Sequence, residues 1–373
     1  MSSTFSTFVN LLCNLIGVGF LALPHFFAKI GFPAGLTLLA VAGISQGYAA
    51  CAVSHSLASP LAAPSFSAIA EKLGPGNFKI LMEATLATQM VANLVISAVV
   101  VADSIPEISR NFSALLVTAV ACVFSFSPQL HQFRFSSILS LVAAFAIFLA
   151  LAAVPADQLD FDEESKTNME GSNFLNFSKT WGASLFAFSF AINVPRLTME
   201  MPRKKRKHLK ILFAAGITGA AIFYAAFAAV VLRLTPDPPV NVILAFGGKM
   251  KIFKICRILL VVTTIAKMPL SAHPAREILK NYIPLGSHAV TVLIFIVTFI
   301  SFLFSGDLAK CVSLVGAVGA LSASFLFPCF LLMQKSQREP PLLPSTMNFS
   351  ELRILQFLSF FATVAALPGI FNL

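Results

Sequence analysis

Charge is scarce in this 373-residue chain: 11% of its side chains are charged, where a soluble domain carries about a quarter. Hydrophobic residues take 57% of the positions instead, more apolar surface than a water-soluble fold hides. No long polar stretch interrupts the apolar runs, so no separate soluble domain has room, and residues 1–373 read as one transmembrane domain. The six cysteines, Cys13, Cys51, Cys122, Cys256, Cys311 and Cys329, form no CxxC pair, which argues against a zinc site or a disulfide framework. Nor do His25, His131 and His208 have the spacing of metal ligands, so no metal or cofactor is expected. No GxSG serine is present and Asp307 has no second aspartate in a facing span, which leaves an intramembrane enzyme without its catalytic pair. The net charge of +10 is scattered between apolar runs rather than striped with aromatics. That pattern points away from nucleic acid and toward anionic lipid at a membrane surface. Nothing legible calls for an obligate protein partner.

What is present is a series of apolar windows long enough for helices to cross hydrocarbon, which takes about 20 residues each. The sequence predicts an all-α polytopic protein of about eleven spans: 7–27, 34–54, 81–102, 112–128, 135–154, 181–200, 211–233, 252–273, 286–305, 308–333 and 351–371. The first run continues through Pro24 without a basic start or a cleavage site, so it reads as a helix rather than a signal peptide. Lysine and arginine resist translocation, and the basic run Arg203 to Lys210 (RKKRKHLK) sets the N-terminus in the cytosol and the C-terminus in the lumen or outside. In agreement, the loop after span five is acidic, with Asp157, Asp160, Asp162, Glu163, Glu164 and Glu170, and the sequon Asn176-Phe177-Ser178 is expected in it. One loop dissents: the segment entering span eight carries Lys249, Lys251, Lys254 and Arg257 on the side that should be outside.

Two spans contain residues that oppose a continuous helix. Span one holds GVGFLALP, Gly17 to Pro24, in which two glycines and a proline make regular hydrogen bonding costly. An unwound backbone inside a bilayer is tolerated only where its freed N–H and C=O groups meet protein, water or ligand, so this break is a candidate binding point. Close helix packing through small residues is the competing reading. Span six holds FAFSFAINVPRLTMEMP, Phe186 to Pro202, where Arg196 and Glu200 are spaced to pair on one helix face or to act as a gate. Gln89 and Asn93, four apart in span three, either line a cavity or bond across helices, and Glu83 is expected to reach water. Breaks in the first and sixth spans suggest two inverted five-helix repeats, 7–154 and 181–333, with 351–371 outside the symmetry. This is the LeuT-like 5+5 architecture, in which half-helix ends receive the carboxylate and the amine of a zwitterion.

Four stretches carry a family resemblance: Asn10 to Leu36, Ser184 to Met201, Met268 to Leu279 and Ser313 to Cys329. In this order they resemble the amino acid/auxin permease family, with its sodium-coupled neutral and its vacuolar amino acid transporter branches. The resemblance implies a substrate site at Ile16, Gly17, Val18 and Gly19 in span one and Phe188, Ser189 and Asn193 in span six. Cys13 stands where the family often has asparagine, with Asn14 displaced by one, and Ala191 stands where histidine or glutamine is frequent. Span eight implies a cation site with hydroxyls from Thr263 and Thr264, yet Lys267 takes a place where sodium-coupled relatives have a small or hydroxylated residue. An ammonium there can stand in for sodium, which would couple transport to protons or to no ion; alternatively Lys267 snorkels to the cytosolic surface. The expected function is secondary active transport of amino acids by alternating access, with H+ or Na+ as the coupling ion. A sensor that keeps the fold without flux is the alternative. The plasma membrane and the vacuolar or lysosomal membrane are both compatible with the sequence.

Overall fold

The computed structural model describes residues 4–56, 71, 76–126, 134–154, 173–201, 203–245, 251–305, 307–328 and 330. All regular structure among them is helical. Span one is two half-helices, Thr4–Leu15 and Leu23–Ile30, joined by the single 3-10 turn Val18–Leu21 and bent by 58°. Spans two to five are the helices Phe32–Ser56, Gly76–Asp103, Arg110–Ser125 and Arg134–Ala152. Span six is again split, into Asn173–Ala187, a 3-10 turn Ala191–Asn193, and Val194–Glu200. Pro24 and Pro195 each sit in the first turn of a second half, where a missing N–H leaves no carbonyl unserved. Spans seven, eight and nine are Leu209–Leu234, Lys251–Leu279 and Ser287–Phe304. Span ten starts as Leu308–Leu314 and continues in π-helical geometry through Val315–Ala320 and Ser322–Leu326. The eleventh predicted span lies outside the described residues.

Five of the described helices are long and apolar enough to cross a bilayer, six when the bent first span is counted. The outer surfaces of the described helices expose Ile44, Leu81, Phe124, Leu149, Ile222 and Phe304, while Trp181, Phe188, Phe213 and Phe227 are fully buried. Apolar residues both inside and outside are the pattern of a bundle solvated by lipid. Span six begins at Asn173 rather than at residue 181, because Phe174 and Phe177 extend its apolar surface toward the acidic loop. The sequon at Asn176 therefore lies in a helix with Ser178 buried, not in the exposed loop that glycosylation needs.

Spans six and ten touch backbone to backbone. A Cβ on Gly316 would stand 1.8 Å from the carbonyl oxygen of Gly182, and one on Gly182 would stand 2.5 Å from the carbonyl oxygen of Ser313. Without a hydrophobic drive between helices in lipid, such small-residue contacts supply the packing. The wider π-helical turns of span ten bring both Gly316 and Gly319 to the bundle centre, where Gly319 faces Gln89 of span three. Replacing Gly316 by alanine is expected to destabilise the bundle by about 2 kcal/mol or more, the scale of an overpacked core. Gly219→Ala, whose Cβ would meet nothing closer than 3.9 Å, should change stability by less than about 1 kcal/mol. Thermal unfolding of the two purified variants separates these outcomes; equal melting points would contradict the close contact.

Candidate functional site

Inner denotes the face of the bundle where span one begins, and outer the face where it ends. The α-helical ladder of the inner half of span one stops when the Ile16 N–H bonds to Leu12, after which the Gly17 N–H turns to Leu15 at 2.8 Å. Gly17 thus abandons the Cys13 carbonyl, its partner in a regular helix. Lys267 of span eight takes up the released oxygens: its Nζ donates to the carbonyls of Cys13 at 3.3 Å and Ile16 at 3.2 Å. The side chain points into the break and does not snorkel to the inner surface.

The break in span six is bonded in the same irregular way, Ser189 N–H to Phe186, Phe190 N–H to Phe188 and Asn193 N–H to Phe190. Tyr224 of span seven links the two breaks. Its buried hydroxyl donates to the Leu15 carbonyl of span one and reaches the Ala187 carbonyl of span six at 3.0 Å. Side-chain amides add two further ties: Asn193 Nδ2 donates to Asn14 Oδ1, and Gln89 Nε2 donates to Ser189 Oγ, both at 2.8 Å. Among the described residues the Oε1 of Gln89 and the Oδ1 of Asn93 are buried acceptors without a partner.

A cavity of about 20 Å³ lies between spans one, five and eight, against Gly17, Val18, Ser140, Thr263, Thr264 and Lys267. It has room for a water molecule or a small ion. Thr263 spends its hydroxyl on the Leu259 and Leu260 carbonyls of its own helix, so of the two expected hydroxyls only Thr264 has no such bond to its own backbone. The remaining expected residues are distributed less evenly. Ile16, Gly17 and Val18 border the cavity, whereas Gly19 packs against the Phe186 ring. Phe188 is fully buried with its ring edge-on to Tyr224 at 5.5 Å, a core position rather than an open wall. The Cys13 thiol is buried beside its Lys267-bonded carbonyl. The side chains of Arg196 and Glu200 lie outside the described residues, so neither a pair nor a gate is described for them.

Both ends of the bundle are fastened. On the outer side the His25 Nδ1–H donates to the Pro238 carbonyl at 2.8 Å and Lys29 faces Asp237 at 3.5 Å, which holds the loop after span seven onto the outer half of span one. On the inner side Tyr282 donates to Glu83, and Arg276 Nη1 donates to the last turn of span four at Ser125, 3.0 Å away. Glu83 is completely buried, contrary to the expectation that it reaches water, because the loop after span eight folds over it. Its carboxylate in turn pushes the Tyr282 phenol above its usual range.

Tyr224 and Ser140 were not legible as site residues. Tyr224 is one of three tyrosines in a chain with 38 phenylalanines, so a phenol within a Phe-rich span was the available signal. Tyr224→Phe leaves the Leu15 and Ala187 carbonyls without this donor in a water-poor interior, which should destabilise the fold by about 1–3 kcal/mol. Amide hydrogen exchange in detergent is expected to accelerate around residues 15–18 and 187–190 and to stay unchanged in span nine. Uniform acceleration would show that Tyr224 does not act on the breaks.

A sequence model of the family described as transmembrane amino acid transporter protein matches residues 1–371. Vacuolar amino acid transporter 5 of Schizosaccharomyces pombe is 24% identical, over 87% of this chain and 82% of its own length. Among solved structures, inward-facing Mhp1 superposes with a TM-score of 0.63 at 14% identity, covering 97% of this chain and 88% of that one. MhsT in complex with L-phenylalanine gives 0.64 at 12% identity, covering 99% and 98%. At such identities the structural likeness establishes the fold alone, and that fold is LeuT-like, as the split first and sixth spans imply. With the match running along essentially its whole length, the chain belongs to the transmembrane amino acid transporter family, the one its four motif stretches resemble, and is a multi-pass membrane protein.

Proposed function

We propose that this protein is a secondary transporter that carries amino acids across a membrane by alternating access and uses the Lys267 ammonium where sodium-coupled relatives bind their ion. The observation that carries the proposal is the Lys267 ammonium resting on the Cys13 and Ile16 carbonyls at the break of span one. An ammonium has three donors and one positive charge, which matches what a bound monovalent cation offers to freed carbonyl oxygens at a half-helix C-terminus. Loss of its proton would withdraw that charge, release both carbonyls and free the inner half of span one from span eight. Proton transfer at Lys267 is thereby linked to the rocking of the bundle, and sodium has no role. A zwitterionic amino acid suits the neighbouring breaks: its carboxylate meets freed N–H groups and its amine meets freed carbonyls. No covalent chemistry is needed. The vacuolar relative supports a vacuolar or lysosomal membrane over the plasma membrane.

The test is uptake of labelled amino acids into liposomes holding purified protein, with sodium and pH gradients imposed separately. Uptake is expected to follow the pH gradient and to ignore sodium, and Lys267→Thr should abolish the pH dependence. Sodium-driven uptake, or an unchanged pH profile in Lys267→Ala, would refute the coupling. Amino acid binding without flux across the sealed vesicle would identify a sensor instead of a carrier.

A further inference from the structure

Arg257 stands apart from four other cations of the bundle. Lys267, Arg276, Arg110 and Lys29 each meet a named oxygen of the protein. Arg257 is only 9% exposed, yet its Nε–H is buried without a partner and no ion pair reaches it among the described residues. A guanidinium stays charged at any pH a cell reaches, so it cannot relieve its desolvation by losing a proton. Unpaired charge at this depth persists where it serves a ligand.

Its position indicates which ligand. Arg257 precedes Leu260 by three residues and Thr264 by seven, which puts all three on one face of span eight. Leu260 and Thr264 line the cavity that holds Lys267. Arg257 therefore stands about 10 Å outward of Thr264 along span eight, between the outer end of that span and the residues that face the break of span one. Lys251 and Lys254 occupy the turns just outside it, and Lys254 is exposed. These residues form the basic segment that dissented from the charge rule for orientation, and a cationic mouth of this kind concentrates anions. A guanidinium fork fits a carboxylate through two parallel hydrogen bonds, whereas a spherical ion engages it less completely.

We propose that Arg257 is a carboxylate-binding residue at the outer mouth of the pathway, which holds the α-carboxylate of the amino acid before it reaches the breaks. This rests on the transport reading above. The test uses proteoliposomes of wild-type, Arg257→Lys and Arg257→Gln protein, a labelled mixture of neutral amino acids, and competition by the unlabelled acids and by their α-amides, in gluconate and in chloride. In Arg257→Gln the KM is expected to rise about tenfold or more, the worth of one charged hydrogen-bonded pair, with Vmax preserved. The preference for acids over amides should fall by the same factor, and Arg257→Lys should fall between. An unchanged acid-to-amide ratio in Arg257→Gln overturns the assignment. So does a ratio that survives while chloride alone shifts the wild-type KM, which would mark an inorganic-anion site. If Arg257→Gln does not purify as a folded protein, Arg257→Lys decides: it keeps the charge but not the fork, and an unchanged ratio again overturns the proposal. If the wild type moves no amino acid, the transport reading fails on its own. Arg257 is then tested by thermal unfolding in detergent with acetate against matched chloride, where stabilisation specific to acetate and lost in Arg257→Gln sustains a carboxylate site and its absence refutes one.

Discussion

Hydrogen bonds given up by a membrane helix have to be replaced, because hydrocarbon offers no water to replace them. The structure is organised around that constraint at Gly17. Once its N–H turns to Leu15, the carbonyls of Cys13 and Ile16 lose their helical partners, and side chains from distant spans supply donors to the break. Lys267 serves Cys13 and Ile16; Tyr224 serves Leu15 and reaches the corresponding break in span six. The unwound segments are thus defined polar surfaces built from backbone and held by side chains of spans seven and eight.

The surrounding packing holds these surfaces in place at small expense in charge. Spans six and ten approach through Gly182 and Gly316 with no side chain between them, and Gln89 bridges from span three to Ser189. Further polar ties sit at the two ends of the bundle: His25 and Lys29 to the loop after span seven on one side, and Tyr282 to Glu83 and Arg276 to Ser125 on the other. Single bonds of this type contribute about 1 kcal/mol each, so none of them alone fixes the arrangement of the bundle.

Much of this was legible in the sequence, for identifiable reasons. Long apolar windows mark spans because bilayer thickness fixes helix length, and the glycines and prolines of Gly17 to Pro24 and of Phe186 to Pro202 mark breaks because they oppose regular bonding. Lys267 stood out through the family resemblance, as an amine where sodium-coupled relatives have a small or hydroxylated residue, but only the tertiary structure shows that it turns to the Cys13 and Ile16 carbonyls. Tyr224 did not stand out, since an apolar span tolerates a tyrosine and its acceptors lie 209 and 37 residues away in sequence. Glu83 was misjudged for a similar reason: a carboxylate near a helix end normally reaches water, and the loop that covers it carries no local mark of doing so. The start of span six was missed because Lys179, Ser178 and Asn173 dilute the hydropathy of a segment that nevertheless folds as helix.

The central claim is that a lysine ammonium, rather than a sodium ion, completes the break of span one. Magnetic resonance of selectively labelled Lys267 in lipid nanodiscs reads this directly, through contacts between its side-chain nitrogen and the labelled carbonyl carbons of Cys13 and Ile16. The account predicts contacts to both carbonyls that are indifferent to sodium and vanish at alkaline pH. A water-exposed ammonium without those contacts, or contacts displaced by added sodium, would contradict it.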